Sequence, residues 1–210
     1  MHVTSINVGA AKRLSGKSFS GLTGIFKEPV TEPVAVGTLG ITGDAVLNAR
    51  HHGGPDQAVY LYRQEDYEWW SASLTRPVLP GTFGENLTVS GLPGPDLAIG
   101  TRLTFDEVVL EVTAPRIPCN TLAERMEDAR FAKTFVRAER PGCYCRVLTP
   151  GALRTGERFS VDAGSASDVT VLALFRAAGR RLEREELEWF LAAPIDERTR
   201  RKFEDRLSGI

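Results

Sequence analysis

The chain of 210 residues is long enough for one sizeable core, or for a main domain with a small appendage. Its 42% apolar and 25% charged residues are those of an ordinary globular protein and exclude wholesale disorder or a collagen-like or coiled-coil construction. Lys and Arg number 26 against 27 Asp and Glu, so a net charge of -1 offers no global field for nucleic acid or anionic lipid, and no stable nucleic-acid binding is expected.

Apolar runs such as Ala58 to Tyr62 and Val171 to Phe175 fall far short of the ~18 residues that a membrane span requires. The N-terminus, where His2, Thr4 and Asn7 interrupt the apolar residues, has no secretory signal pattern, so a cytoplasmic address is expected. Three cysteines are an odd number and argue for reduced thiols rather than a disulfide framework.

In chain order, residues 1 to about 160 read as short extended segments punctuated by Gly and Pro. That is the rhythm of an all-β sandwich or barrel rather than of βαβ units. Val3 to Val8 opens the pattern, and Ala58 to Tyr62 and Asn86 to Val89 continue it. A helix is predicted over about Glu65 to Ser73. Thr101 to Thr113 reads as a hairpin that reverses at Asp106 and Glu107. A second helix is predicted from about Thr121 to Arg137 with Asn120 as N-cap, its stripe formed by Leu122, Met126, Ala129, Phe135 and Val136. Cys143 to Leu148 and Arg158 to Val161 are expected to pair as strands around the turns at Pro150-Gly151 and Thr155-Gly156.

Near residues 163–167 the composition shifts to small residues, and beyond it the pattern turns helical. The reading therefore divides the chain into a main domain, 1–163, and a C-terminal three-helix domain, 167–210. The helices are placed at about Val169 to Ala178, Arg184 to Ala192, and Asp196 to Leu207, the last capped by Asp196. Leu172, Leu174, Phe175, Leu187, Trp189, Phe190, Leu191, Phe203 and Leu207 would let them pack on one another or on the strands.

Several segments carry chemistry. In Ala114-Pro115-Arg116-Ile117-Pro118-Cys119-Asn120, two prolines restrict the backbone where a strand ends and a helix begins. A thiol there, with Arg116 three residues before it, sits among positive charges that favour the thiolate, the form a soft metal needs. The alternative is a buried cysteine acting as a small hydrophobe. His51-His52-Gly53-Gly54-Pro55-Asp56 is a turn whose glycines admit a ligand to the main-chain amides, while His52 and Asp56 could serve as ligands, proton-transfer groups or backbone caps. Glu85 and Asn86 follow Gly84 in a turn with paired acceptor and donor groups. Lys27, near Gly24, could meet a phosphate or stay solvated. Cys143 and Cys145 point to one face of a strand, where core packing is the ordinary role. No His-x3-His or Cys-x2-Cys spacing supports a closed zinc site.

Taken together, His52-Gly53-Gly54-Pro55-Asp56, Phe83-Gly84-Glu85-Asn86-Leu87, Pro115-Arg116-x-Pro118-Cys119 and Ser167-Asp168-Val169-Thr170-Val171 resemble, in order, the motifs of the YiiM-like MOSC-domain proteins. Thr23-Gly24-Ile25-Phe26-Lys27-x-Pro29-Val30 is similar to their opening motif.

The resemblance implies a mainly β fold, a MOSC-type β-barrel with a few peripheral helices, followed by the small three-helix domain. It implies a molybdenum cofactor (Mo-molybdopterin) with Cys119 as the metal ligand, and an oxidoreductase that reduces N-hydroxylated compounds, such as hydroxylaminopurine-type bases, with electrons from a partner reductase. Within that reading Cys119 and His52 are the catalytic candidates, His52 as proton donor. Arg116, Asn120, Glu85, Asn86, Gly53, Gly54, Asp56 and Lys27 are the candidates for holding the cofactor. Two rivals share the cysteine: a cofactor or sulfur carrier using a Cys119 persulfide, and a cysteine hydrolase with His52 as base. One departure is that Cys143 stands where the family commonly has an aromatic, which would matter if Cys143 or Cys145 approached Cys119.

Overall fold

The computed structural model describes residues 1–17, 19–47, 53–162 and 167–209. Its strands are β1 His2–Gly9, β2 Lys12–Ser15, β3 Ser20–Thr23, β4 Lys27–Val30, β5 Val34–Gly37, β6 Gly40–Ile41, β7 Val59–Arg63, β8 Leu87–Ser90, β9 Arg102–Thr104, β10 Val109–Pro115, β11 Cys143–Thr149, β12 Gly151–Leu153 and β13 Ser160–Asp162. The helices are α1 Gln64–Ser73, α2 Asn120–Arg125, α3 Phe131–Ala138, α4 Val171–Ala177, α5 Arg184–Leu191 and α6 Glu197–Ser208, with one 3-10 turn at Pro55–Gln57. None of these helices is long and apolar enough to cross a membrane.

The fold is mixed but dominated by sheet. Eight strands join in the order β13-β9-β10-β11-β7-β8-β1-β4, flanked by the smaller groupings β12-β5-β6 and β2-β3. Among the described residues no ladder joins the edge strands β4 and β13. The sheet nevertheless curls, because the start of β1 meets the segment before β13. Val3 N donates to Glu157 O at 2.9 Å, and Gly156 N donates to Val3 O at 2.8 Å.

The predicted hairpin forms as β9 and β10, with Leu103 opposite Leu110. Two expectations are corrected. β11 does not pair with β13; it lies between β10 and β7, and β13 pairs with β9. Residues adjacent in sequence lost to distant partners here: β11 is paired along both edges, with β10 from Val109 to Pro115 and with β7 from Val59 to Leu61. The strands are also not wholly free of βαβ connection, since β7, α1 and β8 form one, with Leu61 opposite Leu87 in parallel register.

The long helix predicted over 121–137 is two helices, broken where Glu127 takes a left-handed φ of 56°. On one straight helix, at about 100° per residue, Met126 and Phe135 would face opposite sides. The break lets Leu122, Met126, Phe131 and Phe135 all enter one aromatic cluster with Tyr62, Tyr67, Trp70 and Phe83. The cap also moves by one residue, so Cys119 holds the N-cap position and Asn120 begins the helix, exposed.

A second apolar cluster joins the sheet residues Val59, Leu61, Leu110, Val112, Cys143 and Cys145 to Leu174, Leu187, Phe190 and Phe203 of the C-terminal helices. Thr170 and Asp196 cap α4 and α6 by accepting from Ala173 N and Thr199 N. Trp189 does not join this packing and stays 42% exposed.

Within the aromatic cluster Trp70 is fully buried, stacks on Phe135 with ring centroids 5.9 Å apart, and donates Nε1 to Tyr62 OH at 2.7 Å. Trp70→Ala is therefore expected to cost about 3–5 kcal/mol in urea unfolding, whereas Trp69→Ala, at a 38% exposed position, should cost no more than ~1 kcal/mol.

Candidate functional site

The site is built where β10 ends. β10 runs buried to Pro115, and Pro118 stiffens the turn that follows, so Arg116 is directed inward and Ile117 outward. Cys119 then takes the extended cap conformation, φ -130° and ψ 172°, and its carbonyl accepts from Leu122 N at 3.0 Å. The half-buried thiol faces the guanidinium of Arg116, whose Nη2 lies 3.9 Å from Sγ.

Arg116 is only 5% exposed and makes no ion pair with a carboxylate among the described residues, and its Nε has no hydrogen-bond partner. Its guanidinium lies 5.8 Å from the ring centroid of Tyr60. Burial works against the charge, but Tyr144, Cys119 and Tyr60 outweigh it and hold the guanidinium more firmly protonated than usual. A buried cation without a carboxylate is costly unless an anion comes to it.

The facing wall comes from the start of the chain. A Cβ on Gly24 would lie 1.9 Å from Ala45 O, so only glycine lets these two segments close together. Behind them Lys27 and Asp44 form a buried ion pair. Burial lowers the Lys27 pKa, and the attraction of Asp44 opposes that change. Asp44 also accepts from Gly9 N and from Asn86 Nδ2, each at 2.9 Å, while Asn86 Oδ1 accepts from Tyr60 N at 3.1 Å.

Between these walls lies a cleft of about 770 Å³, counting its mouth. It brings together five of the residues singled out in the sequence: Lys27, Gly53, Asn86, Arg116 and Cys119. Other described candidates lie outside it. Gly54 and Asp56 line a separate cavity, where Asp56 pairs with Arg146 at 3.1 Å and accepts from Glu197 N at 2.9 Å. Asn120 is exposed and does not line the cleft, whereas Thr121 does.

Glu85 is fully buried beneath the cleft. Its Oε1 accepts from Gly81 N, Tyr67 OH and Thr88 Oγ1 at 2.6, 2.7 and 2.8 Å, while Oε2 has no partner. His51 and His52 lie outside the described residues. Cys143 and Cys145 belong to the sheet core, not to the cleft, and no disulfide joins cysteines among the described residues. Among the described residues no three His, Cys, Asp or Glu side chains converge on a possible metal position.

Sequence reasoning missed Asp44, Tyr60, Gln57 and Tyr144, all on the cleft wall. Tyr60 and Tyr144 lie on neighbouring strands, directly paired in register, a pairing the sequence did not display. Asp44 gave no signal either, because an aspartate beside Gly43 reads as an ordinary turn residue.

Against known proteins, a family model described as the MOSC domain matches residues 48–160. The protein YflK of Bacillus subtilis (strain 168) is 33% identical over 80% of this chain and 76% of its own length. A Gibberella moniliformis protein named "Reductase" is 33% identical over 65% of this chain, a match that spans 25% of that longer protein. The crystal structure of YiiM from Geobacillus stearothermophilus superposes with a TM-score of 0.80 at 27% identity, covering 98% of each chain.

Burial raises the Glu85 pKa above its ordinary 4.5, against the pull of the hydrogen bonds it accepts. The folded protein thus binds this proton more tightly than the unfolded chain, and stability falls as pH climbs from the ordinary value through the raised one. The stability of the wild type relative to Glu85→Gln should accordingly decline over that window in urea titrations run as a pH series.

Proposed function

The chain belongs to the MOSC domain family, and on that premise we propose that its cleft binds a molybdenum cofactor at Cys119 and serves the reduction of N-hydroxylated compounds to amines. The observation that carries this reading is the buried guanidinium of Arg116, which among the described residues has no carboxylate partner and stands 3.9 Å from the Cys119 sulfur. A cation so placed stabilises a thiolate and attracts an anionic ligand at the same point.

The residues fit the group. Cys119 offers a soft donor, and the absence of a three-ligand cluster among the described residues suits a metal that arrives with its own sulfur ligands. We read the curled sheet as the family's barrel, 1–163 and 167–210 as its two domains, and Cys119 as the point where the barrel presents the metal ligand. When bound, the cofactor supplies electron-pair and oxygen-atom transfer.

The chain's own groups bind, orient and protonate. Arg116 would balance the negative charge beside the sulfur, while Lys27, neutralised by Asp44, would contribute a hydrogen-bond donor to the cleft lining rather than surplus charge. Asn86 presents its amide between them, while Ile25, Ala58 and Tyr60 line the cleft with hydrocarbon that excludes water from a flat ring. Each N–OH group reduced takes up two electrons and two protons and gives an amine and water. His52, next in sequence to the cleft residue Gly53, is the proposed proton donor, and a partner reductase is the proposed electron source. The fungal relative's name supports a redox role.

Molybdenum and pterin analysis of protein made in a molybdate-replete host tests this. Near-stoichiometric metal and pterin are expected in the wild type, together with reduction of an aromatic hydroxylamine by a chemical reductant. Cys119→Ala should lose most of that molybdenum and its turnover. Arg116→Met should weaken cofactor retention about tenfold or more, as loss of a charge-assisted contact would. Full metal occupancy and turnover in Cys119→Ala would overturn the reading, and a metal-free wild type carrying a Cys119 persulfide would replace it with the carrier.

A further inference from the structure

Gly53 and Gln57 face the cleft on one side and a second cavity, of about 480 Å³, on the other. Gly53 itself is packed, since a Cβ there would lie 2.6 Å from Val46 Cγ1, and the turn after it is tied by Gln57 N donating to Gly54 O at 3.1 Å and by Thr113 Oγ1 donating to Asp56 O. The bonds that reach the wall across the second cavity come from α6. Arg198 donates from Nη2 to Gly53 O and from Nη1 to Gln57 Oε1, both at 2.8 Å, spanning the two ends of the wall with one planar guanidinium. Gln57 in turn donates Nε2 to Asp196 Oδ1, the cap of α6, at 3.2 Å, and Asp56 Oδ2 accepts from Glu197 N in the first turn.

We infer that Arg198 is a positioning residue for the cleft: by fixing Gly53 and Gln57 it makes the C-terminal helix α6 set the width of the site in which Cys119 stands. Arg198 itself does not line the cleft, so it acts through the wall and not on a ligand. Lysine cannot replace it fully, because an ammonium reaches one of the two acceptors where the forked guanidinium reaches both. The part of this inference that concerns cofactor retention rests on the function proposed above; the part that concerns access to the thiol does not.

The test uses iodoacetamide on metal-free full-length protein, with mass spectrometry reading each cysteine. Cys143 and Cys145, 3% and 0% exposed, report global opening. Arg198→Met should alkylate Cys119 about fivefold or more faster than wild type, as expected from losing two charge-assisted hydrogen bonds. Cys143 and Cys145 should stay unlabelled, Arg198→Lys should fall between, and Lys202→Ala, on the exposed side of the same helix, should match wild type. In cofactor-loaded protein, Arg198→Met should lose pterin fluorescence on dialysis faster than wild type. An unchanged Cys119 rate in Arg198→Met, or a rise matched at Cys143 and Cys145, would overturn the inference. A changed Cys119 rate in a protein that never takes up molybdenum would uphold it and sink the proposed function instead.

Discussion

The constraint on which the site depends is the positive charge of Arg116, buried where no carboxylate among the described residues meets it. A guanidinium removed from water is tolerated when polarizable or anionic groups surround it. Around Arg116 these are the Tyr60 ring, the Tyr144 phenol and the Cys119 sulfur. The same arrangement sets the Cys119 sulfur 3.9 Å from the Arg116 guanidinium, the contact on which the proposed ligand role rests. The backbone enforces the pairing: prolines on both sides of Arg116 leave the turn few alternatives, and the cap position fixes Cys119 at the start of α2.

The opposite wall solves a different electrostatic problem. Lys27 is buried as well, yet it has Asp44, and Asp44 is tied to Gly9 and Asn86. That pair is nearly neutral, so the cleft carries its surplus positive charge on the Arg116 side, next to the thiol. Glu85 sits below, absorbed into hydrogen bonds that shape the Gly81–Asn86 turn. Its neighbour Asn86 reaches the cleft while Glu85 does not. A motif can therefore hold one residue that builds the site and one that touches it.

The C-terminal helices share the apolar cluster of the sheet, and α6 also reaches the cleft wall through polar contacts. Whatever binds or bends α6 would be felt at Gly53 and Gln57 through hydrogen bonds with cavities on either side. This gives the helical segment a physical connection to the site that packing alone would not supply.

What the amino-acid sequence determined by itself was local. Short extended segments punctuated by Gly and Pro marked β1, β10 and β11, Asp196 marked a helix start, and the proline-bracketed Arg116 and Cys119 marked the centre of the site. These are properties of a few neighbouring residues, and neighbours are what a sequence displays. Tertiary structure decided the rest: that β11 pairs with β7 rather than β13, that the helix after Cys119 breaks at Glu127, that Asp56 turns away from the cleft, that Asp44 and Gln57 line it, and that Arg198 bonds to its wall. Strand partners, the facing of an aromatic cluster and the pairing of a buried charge depend on free energies between residues tens of positions apart. Local propensity does not carry that information.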